Sequence, residues 1–309
     1  MEQECVKVDV AIVGAGLVGA ALAASLKTSN LTVALIDNQT EVELQKTLEP
    51  ASVVDQFEAR VSALTVDSQN LLKAVGAWEM LNLEQVQSYQ NMKVWDELGT
   101  ASIEFDSAEL YQDSLGCIVE NQLILSALHR LLASQVNVKR FLGQRLNSID
   151  LIDAADGVHQ LTLDNNQPVQ CKLLVAADGA NSKVRQWAAL PTREWDYQHE
   201  AIVATIKSTE KHQNTAWQRF SESGPLAFLP LSDKDNSEQF CSIVWSQQQA
   251  VADELLALDD AAFGLKLGRA IEHRLGRVVS VHNRVAYPLK ERHANSYYRA
   301  GLALIGDAA

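Results

Sequence analysis

The chain has 309 residues, 47% of them hydrophobic, which suits one large α/β domain or two coupled ones. The formal net charge of −13 argues against a nucleic-acid partner, because phosphate contacts need a basic surface. No apolar run approaches the roughly 20 residues that span a bilayer, and the acidic start at residues 1–4 is unlike a signal peptide. We therefore expect a cytoplasmic protein without a transmembrane segment.

The start of the chain predicts a βαβ unit. The apolar run 8–13 predicts a buried parallel strand, the Ala- and Leu-rich segment 17–27 a helix, and 31–36 a second strand. Residues 38–58 are polar and predict a loop, whereas apolar spacing predicts a helix over 63–75.

Further along, the pattern changes from α/β to mainly strands. Helices are predicted at 121–132 and 253–275. Strands are predicted at 161–163, 171–177, 202–206, 226–231, 240–245, 278–289 and 302–305. A run of strands after an α/β start predicts a second, antiparallel layer.

The first motif, GAGLVG at residues 14–19, lies between the first strand and the first helix. Gly14 permits the tight turn, Gly16 lets the backbone approach a pyrophosphate, and Gly19 lets the helix pack against the strand. Asp37 ends the second strand, where a carboxylate can accept hydrogen bonds from ribose hydroxyls. We predict a dinucleotide site; a purely structural glycine turn is the alternative.

Two more motifs follow buried strands. Asp178-Gly179 places a carboxylate at the carboxyl edge of the sheet, and Ser182 is placed to cap the next helix. Gly306-Asp307 repeats the arrangement near the end of the chain. Each motif alone is also compatible with an ordinary turn, so the order of the three motifs carries the prediction. The cysteines and histidines show no metal-site spacing, so we predict no metal.

The three motifs in this order resemble the aromatic-ring hydroxylases that use FAD and NAD(P)H, typified by p-hydroxybenzoate hydroxylase. Segments 60–64, 116–128, 195–198 and 226–231 are similar to the ubiquinone-biosynthesis branch, and the resemblance covers essentially the whole chain. Within that branch the chain most resembles the 2-polyprenylphenol hydroxylase acting at ring position C5. The hydroxylase acting at C6 on a methoxy-benzoquinol is a close competitor.

The resemblance implies a role for each motif residue. Gly14, Gly16 and Gly19 would hold the FAD pyrophosphate, and Asp37, where the family usually has Glu, the adenosine ribose. Asp178 and Gly179 would serve the flavin and the nicotinamide cofactor. Gly306 and Asp307 would bind the ribityl chain. Arg60 and Asn121 would lie near the flavin; the alternatives are a surface cation and a helix cap.

The resemblance also implies a p-hydroxybenzoate hydroxylase-like division of the chain. Residues 1–190 and 290–309 would form a Rossmann-like FAD-binding domain with minor substrate-domain insertions, and 191–289 an antiparallel-sheet substrate domain. Family members continue past the Gly-Asp motif into a C-terminal helical segment, and we expect that segment to be absent here. We expect Phe228, Pro230 and Trp245 to form one wall of an apolar channel for a polyprenyl tail; ordinary core packing is the alternative.

The implied reaction is hydroxylation of a polyprenylated phenol or quinol. NADPH or NADH reduces FAD, O2 gives a C4a-hydroperoxyflavin, and its distal oxygen attacks the ring. The implied partners are proteins of a ubiquinone-biosynthesis complex, which would hold the chain at the inner membrane. Two rivals remain: an NAD(P)-dependent dehydrogenase, which leaves the second and third motifs unexplained, and a non-catalytic subunit that binds a lipid or a protein.

Overall fold

The architecture comes from a computed structural model that describes residues 4–99, 101–152 and 157–309. The first three residues of the acidic start lie outside the described residues. No helix in the described ranges is long and apolar enough to cross a membrane.

The strands, in chain order, are β1 (Val6–Val13), β2 (Val33–Asp37), β3 (Val61–Thr65), β4 (Gln87–Tyr89), β5 (Asn91–Asp96), β6 (Ser102–Asp106), β7 (Gly116–Glu120), β8 (Val138–Leu142), β9 (Leu146–Asp150), β10 (His159–Leu163), β11 (Pro168–Ala176), β12 (Thr192–Ser208), β13 (Thr215–Phe220), β14 (Leu226–Pro230), β15 (Phe240–Gln248), β16 (Val278–Ala294), β17 (Tyr298–Arg299) and β18 (Leu302–Leu304). The α-helices are α1 (Leu17–Ser25), α2 (Glu41–Leu44), α3 (Val66–Val75), α4 (Asn121–Ala133), α5 (Lys183–Trp187), α6 (Gln249–Leu256) and α7 (Asp260–Ala270).

The first sheet has the order β17-β18-β11-β1-β2-β8, with β10 and β9 added beside β11. Strands β18, β11, β1, β2 and β8 run parallel, so their carboxyl ends share one edge. One face packs Ile12 and Leu35 against α1 and α4, and the other packs Ala11 and Ile36 against β10 and α5. Burial on both faces explains the continuous apolar runs at residues 10–13 of β1 and 33–36 of β2.

The second sheet has the order β16-β12-β15-β14-β13-β5-β6, and all of its pairings are antiparallel except β13 with β5. Helices α6 and α7 cover one face, where Phe263 and Leu267 pack into the core. The paired strands β12 and β16 extend from the first sheet into the second. Ala294 of β16 packs in the core beside β10 and α5, whereas Val281 of the same strand packs in the core beside α6 and α7. A small sheet, β3-β7-β4, completes the fold.

The predicted α/β class with an added antiparallel layer is confirmed, as are most predicted elements. The helix predicted over 63–75 is wrong at its start, because residues 61–65 pair with β7 as strand β3. The helix begins at Val66, where the side chain of Thr65 accepts a hydrogen bond from the Ser68 amide, and it ends at Gly76 with φ +86°. The predicted loop 38–58 contains the short helix α2, which has a capping box at Thr40.

The helix predicted over 253–275 is instead two helices, α6 and α7. The side chain of Asp259 accepts a hydrogen bond from the Ala262 amide at 2.7 Å and so starts a new helix. After α7, Glu272 and His273 have positive φ angles, which ends helical geometry before residue 275. Strands β5 and β6 join the second sheet from within residues 1–190. The domain boundaries themselves stay a prediction.

Candidate functional site: a cleft at the carboxyl edge of the first sheet

The three motifs meet at the edge where the parallel strands end. GAGLVG follows β1, Asp37 ends β2, Asp178-Gly179 follows β11, and Gly306-Asp307 follows β18. Strand β1 lies at the centre of the sheet, with β2 on one side and β11 on the other, so the chain order reverses beside it. A crevice at such a reversal is where open α/β sheets bind ligands.

The glycines of the first motif have different surroundings. Gly14 has φ +102°, and a Cβ there would lie 2.2 Å from the Ala177 carbonyl oxygen, in the strand end that leads to Asp178. A Cβ on Gly19 would lie 1.9 Å from the Gly14 oxygen. A Cβ on Gly16 would meet no atom within 4 Å. Gly14 and Gly19 are thus required for close packing, whereas Gly16 borders open space at the start of α1.

Asp37 holds the glycine loop directly. One oxygen of its carboxylate, Oδ2, accepts a hydrogen bond from the Ala15 amide at 2.5 Å, and Oδ1 accepts one from the Gln39 amide at 2.8 Å. Carboxylate oxygens have further acceptor capacity. Asp37 can therefore still accept a hydrogen bond from a ribose, and that contact stays a prediction. Its hydrogen bond to the glycine loop is a role that was not predicted.

Asp178 begins the loop of the second motif. Its Oδ2 accepts hydrogen bonds from the amides of Lys183 at 2.9 Å and Val184 at 3.3 Å. Its Oδ1 is buried and has no hydrogen-bond partner within the described ranges. The predicted cap is confirmed, because Ser182 Oγ accepts a hydrogen bond from the Arg185 amide at 3.0 Å. A buried acceptor without a partner at the mouth of a cleft is suited to a ligand hydroxyl or amide.

The third motif lies against the start of α1. Gly306 has φ +58°, and a Cβ there would come 3.1 Å from Cγ2 of Val18. Asp307 is exposed. Arg185, which the sequence analysis missed, joins this motif to the second: it is 4% exposed and donates to the carbonyls of Ala180 at 2.9 Å and Ala308 at 2.8 Å.

A cavity of about 720 Å³ lies between these loops. Its size falls within the range of small-molecule and cofactor sites. The lining residues are Val13, Gly14, Gly16, Ile36, Asp37, Asn38, Gln39, Gln144, Arg145, Leu146, Ala177, Asp178, Gly179, Asn181 and Lys183. Five of the predicted site residues are therefore brought together, and two cations, Arg145 and Lys183, were not predicted.

Arg60 and Asn121 lie side by side but do not line this cavity. The backbone N–H of Asn121 donates a hydrogen bond to the Arg60 carbonyl at 3.0 Å, and Ser62 Oγ donates one to the side-chain oxygen Oδ1 of Asn121 at 2.6 Å. The Arg60 side chain is exposed. Asn121 is the first residue of α4 and its side chain does not cap the helix, since Glu120 is the N-cap residue. A flavin contact for this pair stays a prediction.

Two buried ionisable residues near the site were missed by the sequence analysis. Glu120 is 6% exposed, and its Oε1 accepts a hydrogen bond from the Glu58 amide at 2.6 Å. Burial raises the pKa of Glu120 to about 7. His129, on α4, is fully buried, and its Nε2 lies 2.8 Å from the Ala15 carbonyl oxygen. Glu120 lies within segment 116–128 and His129 directly after it, but the sequence predicted no role for either.

The three residues of the predicted channel wall lie in the second sheet. Phe228 and Trp245 lie on the face of the second sheet that α6 and α7 cover, and Phe228 is only 1% exposed. The Trp245 ring packs edge-on against Phe263 at 6.2 Å. Pro230 is buried and, from the strand register, shares the face of Phe228. These contacts are compatible with the alternative of ordinary core packing, and a channel wall formed by the three residues stays a prediction.

The residues of the cleft fit a dinucleotide. Open space at Gly16 and the first amides of α1, which have no partner within the helix, can receive a diphosphate. Asp178 Oδ1, which has no partner among the described residues, can accept a hydrogen bond from a hydroxyl or amide group. Carboxylates and cations both line the cavity, as a ligand with phosphate and sugar groups requires.

Comparison with known proteins identifies the family. Residues 7–309 match the FAD binding domain family. The 3-demethoxyubiquinol 3-hydroxylase of Escherichia coli (strain K12) is 34% identical, over 97% of this chain and 73% of that protein. The mitochondrial ubiquinone biosynthesis monooxygenase COQ6 of Homo sapiens is 34% identical, over 97% of this chain and 71% of that protein.

Solved structures share the fold. The p-nitrophenol 4-monooxygenase PnpA of Pseudomonas putida DLL-E4 superposes with a TM-score of 0.73 at 16% identity, covering 99% of this chain and 74% of that one. PqsL of P. aeruginosa, solved with 2-aminobenzoylacetate, has a TM-score of 0.72 at 17% identity, covering 98% and 79%. The chain therefore belongs to the FAD-binding family of flavin-dependent monooxygenases that includes these ubiquinone-biosynthesis hydroxylases.

Proposed function

We propose that this chain binds FAD in the cleft and hydroxylates the ring of a polyprenylated phenol in ubiquinone biosynthesis, using NADPH or NADH and O2. The observation that carries the proposal is the convergence of the motif loops around one cavity of about 720 Å³. When bound, the flavin supplies the redox chemistry and the activation of oxygen. The protein has to bind the cofactor and the substrate, orient the substrate ring and exclude water.

The cofactor-binding roles are assigned by position. The α1 start with Gly14, Gly16 and Gly19 would receive the diphosphate, since helix amides and the positive helix end favour anions. Asp37 and Arg145 lie at the β2 side of the cavity, where the adenosine half would bind. Asp178 and Gly179 lie at the β11 side, where the unpaired Oδ1 would accept a hydrogen bond from the flavin half or the nicotinamide cofactor.

The four remaining predicted residues do not line this cavity, and we propose roles for them from their positions in the fold. We propose that Gly306 and Asp307 hold the ribityl chain, because Gly306 touches the start of α1. Arg60 and Asn121 would contact the flavin from the small sheet, where hydrogen bonds hold both in place. Each of these roles is testable by its own alanine variant in an FAD titration.

We propose that the aromatic substrate approaches the face of the second sheet opposite α6 and α7. That face is turned towards the small sheet, because Phe240 and Leu231 on it pack against Phe57 and against Ile118 of β7. The second candidate substrate is a methoxy-benzoquinol, which the name of the Escherichia coli relative favours. Since either substrate has a long apolar tail, we propose that partner proteins of ubiquinone biosynthesis hold the chain at the membrane.

To test the proposal, the purified chain is incubated under 18O2 with FAD, NADPH or NADH, and either a polyprenylphenol or a demethoxy-quinol. Flavin retention and the oxygen label in the product are measured. The proposal predicts FAD retention and one labelled oxygen atom in one product. Retained flavin with oxygen-independent substrate oxidation would support a dehydrogenase instead. A chain that retains no flavin but binds the lipid or a protein would support the non-catalytic subunit.

A further inference from the structure

The peptide groups of Ala15, the central residue of the Gly14–Gly16 turn, are held from two sides. Its N–H donates to Asp37 Oδ2 at 2.5 Å, and its carbonyl oxygen lies 2.8 Å from His129 Nε2. Ala15 and His129 are both fully buried. The turn is therefore fixed by the end of β2 and by α4, which are far from it in the sequence.

The chemistry of the contact defines the state of His129. A carbonyl oxygen only accepts hydrogen bonds, so Nε2 must carry the hydrogen. Nδ1 is buried and has no partner in the described part of the chain, so a second ring proton would be left unpaired. Burial lowers the pKa of His129, and Arg140 lowers it further. The contact with Ala15 and the carboxylates of Asp37 and Glu41 oppose this shift without reversing it. The ring is therefore a neutral Nε2–H donor.

A trans peptide links this contact to the cleft. The carbonyl of Ala15 and the N–H of Gly16 belong to one planar peptide group and point in opposite directions. Because His129 holds the carbonyl in the protein interior, the Gly16 N–H is turned to the opposite side. Gly16 lines the cavity, and a Cβ on it would meet no atom within 4 Å.

We propose that His129 is a positioning residue for the dinucleotide: from α4 it sets the Ala15–Gly16 peptide so that the Gly16 amide can donate to the diphosphate. The inference rests on the proposed FAD site. It adds a residue outside the three motifs that acts only through the loop backbone.

The test compares three variants of the whole chain. His129→Leu keeps the bulk but removes the donor and should weaken FAD binding about tenfold, the effect of one buried hydrogen bond. His129→Gln can return an N–H to the same carbonyl and should recover most of the affinity. Leu128→Ala, a neighbouring core truncation on α4, should destabilise the fold yet leave FAD affinity unchanged.

A cofactor-free readout separates this inference from the proposed function. In 15N NMR spectra of the ligand-free chain, the Gly16 amide signal should shift in His129→Leu and return in His129→Gln. Wild-type His129 should show the neutral Nε2–H tautomer. Unchanged Gly16 signals, or an equal loss of FAD affinity in Leu128→Ala, would overturn the inference. A wild-type chain that shows these signals but binds no FAD would instead refute the proposed function.

Discussion

Replacing Glu120 by Gln should remove a pH-dependent loss of stability. Glu120 is 6% exposed, and burial raises its pKa from the ordinary 4.5 to about 7, with a smaller rise from the Glu58 carboxylate. The Glu58 amide and Lys46 act in the opposite direction. The folded state therefore keeps a proton that the unfolded chain has already lost, so the free energy of unfolding falls as pH rises from 4.5 through 7.

The size of the effect follows from the pKa. At about 1.4 kcal/mol for each pH unit, a displacement from 4.5 to about 7 corresponds to about 3 kcal/mol. Glutamine stays neutral at every pH, and its amide oxygen can accept the same hydrogen bond from Glu58. The stability difference between Glu120→Gln and wild type should therefore grow in favour of the variant by about 3 kcal/mol between pH 4 and pH 8.

Urea unfolding at pH 4, 5, 6, 7 and 8 measures this difference. Other titrating groups are common to both proteins and cancel. The matched control is Glu222→Gln, which makes the same chemical change at an exposed position. A difference between Glu120→Gln and wild type that stays constant from pH 4 to pH 8 would refute the assignment of a raised pKa to Glu120.

Three further predictions concern the loops and the core. Gly16→Ala should fold normally but weaken FAD binding, whereas Gly19→Ala should also lower the melting temperature, because its Cβ would meet the Gly14 oxygen at 1.9 Å; equal melting temperatures would contradict this. Phe228→Ala should cost about 3–5 kcal/mol in urea unfolding, as for a core aromatic, and a loss below about 1 kcal/mol would argue for a channel wall. Arg185→Met should cost about 2–3 kcal/mol through two lost carbonyl hydrogen bonds, and wild-type stability would contradict it.

The motifs could be predicted from sequence because their requirements are local. Within a single strand–turn–helix unit, Gly14 is required by its φ of +102° and Gly19 by its close approach to the Gly14 oxygen. Apolar runs that end in such turns predict parallel strands. The convergence of Asp37 and Asp178 beside this turn followed from the rule that parallel strands end at one edge.

What could not be predicted depends on partners distant in the sequence. Strand β3 forms because β7 pairs with it, whereas its own apolar spacing continues that of the following helix. The face on which Phe228 lies was undetermined, because neighbouring Ala227 and Leu229 are apolar too. Arg185 and His129 bind backbone oxygens of distant segments, and a backbone oxygen leaves no mark on the sequence.

The central claim is that the three motif loops form an FAD site, and cofactor retention tests it most directly. The chain would be mixed with FAD, desalted, and its visible absorption spectrum recorded beside that of Gly16→Val, whose side chain would fill the open space at the start of α1. We expect about one flavin per wild-type chain and little in the variant. A folded wild-type chain that emerges colourless, or a variant that retains as much flavin, would contradict it.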